Sequence, residues 1–214
     1  DRIYKNTSYS WYTTFKSEPP YIGETNNYTG SYRRTIEVPA DWKGSDIFMH
    51  VGSATSNLKV WINGKYVGYS EDAKIAAEFN VTKYLKPGKN LIAMQVMRWC
   101  DGSYLEDQDF WRFTGIAREA YLYARPKVHV NDITIGQDLV NGYKDGKLDV
   151  TLDIAGGKKA LVDIQLVDAS GKVAVEATGI KGANNLTQSF TVSNAKAWTA
   201  ETPNLYTLNI TLKQ

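Results

Sequence analysis

A single cysteine, Cys100, and two histidines, His50 and His129, are all that the 214-residue chain offers in thiol or imidazole ligands. One thiol cannot close an intramolecular disulfide, and two isolated imidazoles leave no cluster at zinc-ligand spacing. Apolar runs long enough to span a bilayer are absent, and no basic-then-apolar leader opens the chain, so a soluble protein is expected and a membrane partner is not. Charge of one sign is missing as well. The 25 Lys and Arg are balanced by 23 Asp and Glu, a formal net charge of +2. With no basic tract to hold phosphate backbones, nucleic acid is not an expected partner. Helical periodicity sustained for three turns is lacking too.

What the chain does have is flat amphipathic rings and strand-like alternation. Aromatic residues make up 12%, with 14 Tyr and 6 Trp, suited to filling a sandwich core or stacking on a sugar. Tyr4, Tyr9, Trp11, Tyr12, Phe15 and Tyr21 cluster around Pro19-Pro20 without a clean period, which reads as an irregular aromatic approach to a first strand. That strand is placed after Gly30, from Tyr32 to Val38, with Pro39 ending it because proline cannot donate to a ladder. Asp46 to Val51 reads as a second strand. Leu58, Val60 and Ile62 alternate with Asn57, Lys59 and Trp61 before Asn63-Gly64, a pair that supplies the positive φ values of a type I′ hairpin. After the turn Lys86-Pro87-Gly88-Lys89, Leu91 to Trp99 is nearly continuous in apolar character, as a central strand covered on both faces would be. Glu119 to Ala124 closes this set.

Arg125-Pro126 marks a domain boundary, giving a first domain over residues 1–124 and a second over 125–214. Beyond it, Leu148 to Ile154, Val162 to Leu166 and Leu208 to Leu212 each alternate apolar with polar, and Ala169-Ser170-Gly171-Lys172 is a turn. The pattern describes an all-β chain: a jelly-roll sandwich followed by an immunoglobulin-like β-sandwich without an inter-sheet disulfide. The abrupt start at Asp1-Arg2-Ile3-Tyr4 and the strand-like end at Lys213-Gln214 read as an excised piece.

Chemistry-bearing residues concentrate between Arg98 and Arg112, where Asp101, Glu106, Asp107 and Asp109 lie among Trp99, Tyr104, Phe110 and Trp111. Composition alone favours a solvated acidic loop with aromatic anchors. A calcium loop lacks its Asp-x-Asp-x-Asp-Gly order. Making Glu106 and Asp109 the two carboxyl groups of a retaining glycosidase has no independent support.

The run Arg98-Trp99, Asp101-Gly102-Ser103-Tyr104-Leu105-Glu106-Asp107-Gln108-Asp109, Trp111-Arg112, Gly115-Ile116 and Arg118 closely resembles the N-terminal sugar-binding domain of bacterial β-galactosidases of glycoside hydrolase family 2. Ile3-Tyr4-Lys5-Asn6, Thr29-Gly30-Ser31-Tyr32, Asn63-Gly64 and Val67-Gly68-Tyr69 fall in the order found in those enzymes. Trp198 with Pro203-Asn204-Leu205-Tyr206 is similar to the end of the family's immunoglobulin-like domain.

The resemblance implies that Asn6 hydrogen-bonds galactose hydroxyls, and that Asp109 both ligates a sodium ion and contacts the galactose 6-hydroxyl. Trp99, Asp101, Glu106, Asp107, Trp111 and Arg112 are expected to support that pocket rather than touch the sugar. It also implies that the catalytic glutamates, the magnesium ligands and the rest of the sodium shell belong to a (β/α)₈ barrel not contained in these 214 residues. The parent is then a homo-oligomeric, retaining β-galactosidase of a bacterial cytoplasm or periplasm, acting on β-galactosides, and the chain itself is non-catalytic. A first domain shortened at its N-terminus would expose a sheet edge and favour self-association. A free-standing carbohydrate-binding module, a fragment of a family-2 β-glucuronidase or β-mannosidase, and a purely structural tandem sandwich are the alternatives.

Overall fold

The structure, a computed structural model, describes residues 4–5, 10–106, 110–111 and 114–214. Two compact units divide the chain, residues 1–125 and 126–214. No helix among the described residues is long and apolar enough to cross a membrane.

In the first unit the strands are β1 (Tyr4–Lys5), β2 (Thr29–Val38), β3 (Asp46–Val51), β4 (Ala54–Thr55), β5 (Leu58–Ile62), β6 (Lys65–Ser70), β7 (Ala77–Asn80), β8 (Gly88–Met97), β9 (Phe110–Trp111), β10 (Gly115–Ile116) and β11 (Ala120–Arg125), with one helical turn, α1 (Ser103–Glu106), ahead of β9. A four-stranded sheet in the order β2-β8-β5-β6 faces a three-stranded sheet in the order β11-β3-β7, and β1-β9 and β4-β10 form small antiparallel pairs beside them. Alternation decides which side of each strand is dry. Leu58, Val60 and Ile62 of β5 are fully buried, and they meet Ile47, Met49 and Val51 of β3 and Ile92 and Val96 of β8 in one core. The intervening Lys59 and Trp61 are half-buried on the opposite face.

Asn63 and Gly64 have φ of 51° and 78° and close the β5-β6 hairpin with Ile62 opposite Lys65, as an Asn-Gly two-residue turn requires. Asn63 does more than turn. Its side-chain amide donates to the Tyr84 carbonyl and to Oδ1 of Asn90, while its own Oδ1 accepts the Leu91 amide. Asn90, only 1% exposed, completes the knot by accepting from the Lys86 amide and donating to the carbonyls of Lys86 and Gly88. A buried polar residue is tolerable only when satisfied in this way.

The limits of β2 and β8 differ from the sequence expectation. β2 starts at Thr29 rather than beyond Gly30, because Thr29 and Gly30 already pair with Met97 and Val96. β8 starts at Gly88 and ends at Met97, so Trp99 lies past its end. There the side chain of Asn27 substitutes for a neighbouring strand, accepting the Trp99 amide and donating to the Trp99 carbonyl. At the other limit of the unit, Arg125 pairs with Asp46 across β11 and β3 and so belongs to the first unit rather than the second.

The second unit comprises β12 (His129–Val140), β13 (Asp145–Ala155), β14 (Leu161–Asp168), β15 (Val173–Lys181), β16 (Asn185–Val192) and β17 (Tyr206–Lys213). They form two three-stranded antiparallel sheets, β12-β13-β16 and β15-β14-β17. Leu148, Val150, Leu152 and Ile154 of β13 pack against Val162, Ile164 and Leu166 of β14, the filling of an immunoglobulin-like sandwich. Between β13 and β14, and between β15 and β16, the connecting segments cross so tightly that a Cβ at Gly157 would lie 2.2 Å from the Ala183 carbonyl oxygen and one at Gly182 would lie 2.3 Å from that of Gly157. Only glycine fits where backbone meets backbone.

Leu152, fully buried at the centre of this core, is expected to cost about 2–5 kcal/mol of the second unit's stability on truncation to Ala. Thr207→Ala, on the exposed face of β17, is expected to change it by no more than about 0.5 kcal/mol. Urea denaturation of both variants, followed by far-ultraviolet circular dichroism, checks the contrast.

Candidate functional site

The sequence places its chemistry just past β8, and the structure explains how so polar a stretch is held. Asn27 pins the backbone of Trp99 at 3.0 and 3.1 Å, and the Arg98 amide bonds the Tyr28 carbonyl at 2.9 Å. The Cys100 amide then donates to Oγ of Ser103, whose own amide returns to the Cys100 carbonyl. That reciprocal pair starts α1. Glu106, at its other end, accepts the Ala73 amide at 3.2 Å, which ties the turn to the segment after β6.

Rings from the irregular first segment complete the anchorage. Trp11 contacts Phe15 with ring centroids 5.8 Å apart and Tyr104 at 4.7 Å, while Phe15 meets Trp99 edge-on at 5.7 Å. The Tyr104 hydroxyl donates to the Tyr21 carbonyl and accepts from the Glu18 amide. Such aromatic pairs contribute about 0.5–1.5 kcal/mol each beyond the area they bury. The early aromatics therefore act as a clamp on the acidic loop.

An open cleft of about 580 Å³ lies beside this anchor, lined by Tyr21, Lys59, Tyr66, Tyr69, Glu71, Trp99 and Asp101 among others. Asp101 is exposed there, Glu106 is half-buried nearby, and Trp99 is 6% exposed, its Nε1 carrying no hydrogen-bond partner among the described residues. Ligand atoms of Glu71, Cys100 and Asp101 lie within 4.8 Å of one another. The Tyr69 hydroxyl donates to the Glu71 carboxylate, and burial together with that carboxylate raises the tyrosine's pKa. Burial likewise pushes the Glu71 carboxyl above the usual range, and neighbouring Asp101 and Glu106 add to the shift. Glu106 is raised by burial against the opposing bond from the Ala73 amide, and the Cys100 thiol is raised by burial as well. A protonated thiol is a poor donor to hard cations, which take oxygen, so only the two carboxylates of this group suit such an ion.

Of the residues singled out from sequence, Trp99, Asp101 and Glu106 are thus brought to one side of the first unit. Asn6, Asp107, Asp109 and Arg112 lie outside the described residues, and with Asp109 so does the expected sodium site. Trp111 enters as backbone only: it pairs with Tyr4 across β1 and β9, and Lys5 pairs with Phe110. Lys5 immediately precedes Asn6 in sequence, and Phe110 immediately follows Asp109. Glu71 and Asn27 were not singled out. Glu71 stands two positions after the Val67-Gly68-Tyr69 motif, which is a signal of sorts; Asn27 has none, since its partner is 72 positions away.

The structure thus sets an anchored acidic loop on the first of two consecutive β-sandwich units. The family models agree along the chain: "Glycosyl hydrolases family 2, sugar binding domain" matches residues 1–126 and "Glycosyl hydrolases family 2" matches residues 128–214. The chain belongs to glycosyl hydrolase family 2. A β-galactosidase of Priestia megaterium is 39% identical over 98% of this chain, and one of Clostridium acetobutylicum is 41% identical over 97%. The chain spans only 21% and 23% of those two proteins. The crystal structure of a Bacteroides uniformis β-glucuronidase shares the fold, with a TM-score of 0.74 at 24% identity, over 88% of this chain and 25% of that one.

The raised Glu71 carboxyl has a consequence for stability. Above the ordinary glutamate value of 4.5 the unfolded chain loses this proton while the folded one keeps it, so stability falls as pH rises through the folded value. Glu71→Gln is expected to make this decline shallower, with Glu106 leaving a residual slope of the same sign. Thermal denaturation midpoints of both proteins measured upward from pH 4.5 check it.

Proposed function

We propose that this chain is the N-terminal, non-catalytic part of a β-galactosidase, and that it supplies one wall of a galactose pocket completed by the rest of the enzyme. The observation that carries this reading is the match of 97–98% of the chain to proteins named β-galactosidase, of which it spans only about a fifth. The full-length enzyme hydrolyses terminal β-D-galactosides with retention, through a covalent glycosyl intermediate formed on a carboxylate outside these residues. Asn6 and Asp109 bind the sugar. The β1-β9 ladder supports their acting together, since Lys5 and Phe110 are partners and each is bonded to one of the two.

In this reading Asp109 has two acceptor oxygens to divide between a sodium ion and the 6-hydroxyl of galactose. A monovalent hard cation takes oxygen donors, and sharing one carboxylate between ion and hydroxyl fixes the sugar's orientation. A pocket built this way rejects sugars that lack the hydroxyl, because its buried acceptor is then unpaired. Trp99, held by Asn27 and Phe15, backs the loop that carries Asp109, Glu106 ties the turn before it to the Ala73 amide, and Asp101 lines the neighbouring cleft. Magnesium ligands belong to the remainder of the enzyme.

Purified residues 1–214 are expected to show no turnover of a chromogenic β-galactoside, while the full-length enzyme does. Robust hydrolysis by the chain alone, or a full-length enzyme that takes β-glucuronides and not β-galactosides, overturns the reading. In the full-length enzyme, Asp109→Ala is expected to lower kcat/KM for β-galactosides roughly 10- to 100-fold, the scale of one charge-assisted hydrogen bond, and to abolish activation by sodium. Steady-state kinetics with and without sodium measure both effects.

A further inference from the structure

Asparagine followed by glycine occurs twice in the chain, at Asn63-Gly64 and Asn141-Gly142. Such a pair carries its own reaction. The side-chain amide and the next main-chain nitrogen sit on one short segment, and groups held together in this way react without having to meet by diffusion. A glycine in second place leaves that nitrogen unscreened. At both pairs the space is open, with no atom of a described residue beyond the adjoining ones within 4 Å of where a Cβ on the glycine would lie. Crowding therefore does not separate the two sites; the grip on the asparagine does.

Asn63 is clamped on every side. Its Nδ2 donates to the Tyr84 carbonyl and to Oδ1 of Asn90, its Oδ1 accepts the Leu91 amide, and its own amide donates to the Leu91 carbonyl at 2.8 Å. Turning that side chain onto Gly64 means opening the buried knot around Asn90. Asn141 is exposed at the tip between β12 and β13, where Val140 opposite Asp145 is the last pair of the ladder. Residues 141–144 make no backbone hydrogen bond among the described residues. Asn141, Gly142 and Tyr143 have φ of 53°, 67° and 66°, left-handed values that cost energy at a bulky residue such as Tyr143, itself 79% exposed. The Asn141 side chain donates to Oδ2 of Asp145 at 2.8 Å and is held by no other hydrogen bond among the described residues. A strained tip with unpaired amides opens at the low end of a protein's local stability scale.

We propose that Asn141 is a site of spontaneous deamidation in the folded chain, and that Asp145 makes the product loosen the tip. The Gly142 nitrogen attacks Cγ of Asn141. As that bond forms, the side-chain nitrogen leaves as ammonia, carrying away the proton that the Gly142 nitrogen loses, and a cyclic imide remains. Water then adds to one of the two imide carbonyls and opens the ring to aspartate or to isoaspartate. Each product is a carboxylate where a neutral donor stood. Oδ1 of Asp145 accepts the Asn194 amide at 2.9 Å, so this one carboxylate ties the tip to the segment after β16. A second carboxylate at position 141 takes the donor away from Oδ2 and sets a like charge beside it. Isoaspartate also lengthens the main chain by a methylene inside a tight loop. The inference is independent of which glycoside the enzyme cleaves.

Ageing residues 1–214 at mildly alkaline pH, in native buffer and in urea, tests it, with the peptides that hold Asn63 and Asn141 quantified by mass spectrometry after digestion. In urea the two asparagines are expected to react at similar rates. In the folded chain Asn141 is expected to stay within about 10-fold of its unfolded rate, while Asn63 slows at least about 100-fold. The Asn141 product is expected to contain isoaspartate, which only the imide route makes, and Gly142→Ala is expected to slow the reaction in urea, where folding plays no part. Asn141→Asp, which reproduces one product, is expected to lower the thermal midpoint of residues 1–214, and to lower it much less in an Asp145→Ala background. Equal folded-state rates at Asn63 and Asn141, aspartate without isoaspartate, or no effect of Gly142→Ala overturns the site. An equal drop in midpoint with and without Asp145 overturns the role given to that residue.

Discussion

A β-sheet in water has to keep its apolar face dry and its edge amides paired, and nearly every feature of this chain follows from how those two demands are met. In the first unit the alternation of Leu58, Val60 and Ile62 against β3 and β8 satisfies the first demand completely. Where β8 runs out of neighbours, the side chain of Asn27 offers Trp99 the same donor and acceptor that a strand would. In the second unit the core is equally dry around Val150 and Leu152, but it thins toward β12 and β17.

Local patterning made much of this legible. The Asn63-Gly64 hairpin, the β3 strand and the alternation in β13 and β14 each depend on residues close together in the chain, and such signals survive without tertiary information. The twelve-residue β12 is different. Asn131, Asp132, Gln137 and Asp138 interrupt its apolar positions, and its core face is only half covered, so it has no clean period to read. Strand ends were displaced for a related reason: Thr29 and Gly30 join a ladder because of what Met97 and Val96 require, not because of their own preferences.

The candidate site divides along the same line. The acidic loop could be picked out from its acids and rings, and family resemblance alone assigned Asn6 and Asp109 their roles. What could not be read was how the loop is held. Trp11, Phe15 and Tyr104 meet across most of the first unit's length in sequence, and Glu71 joins Asp101 only because β6 and the turn after β8 are neighbours in space. Specificity of the kind proposed for a galactose pocket needs this rigidity, since a hydrogen bond to one hydroxyl discriminates only if its acceptor cannot move to suit another sugar.

The crossing of Gly157 and Gly182 carries a different implication. At most buried positions of a sandwich a neighbouring side chain can shift to admit a larger one, so genetic drift explores the core by small compensated exchanges. Here the obstacle on each side is a carbonyl group of the main chain, which has no alternative rotamer to retreat into. Codons 157 and 182 are therefore closed to a mutational library unless the loops themselves are rebuilt, and they are the positions at which a randomised second unit would lose members first.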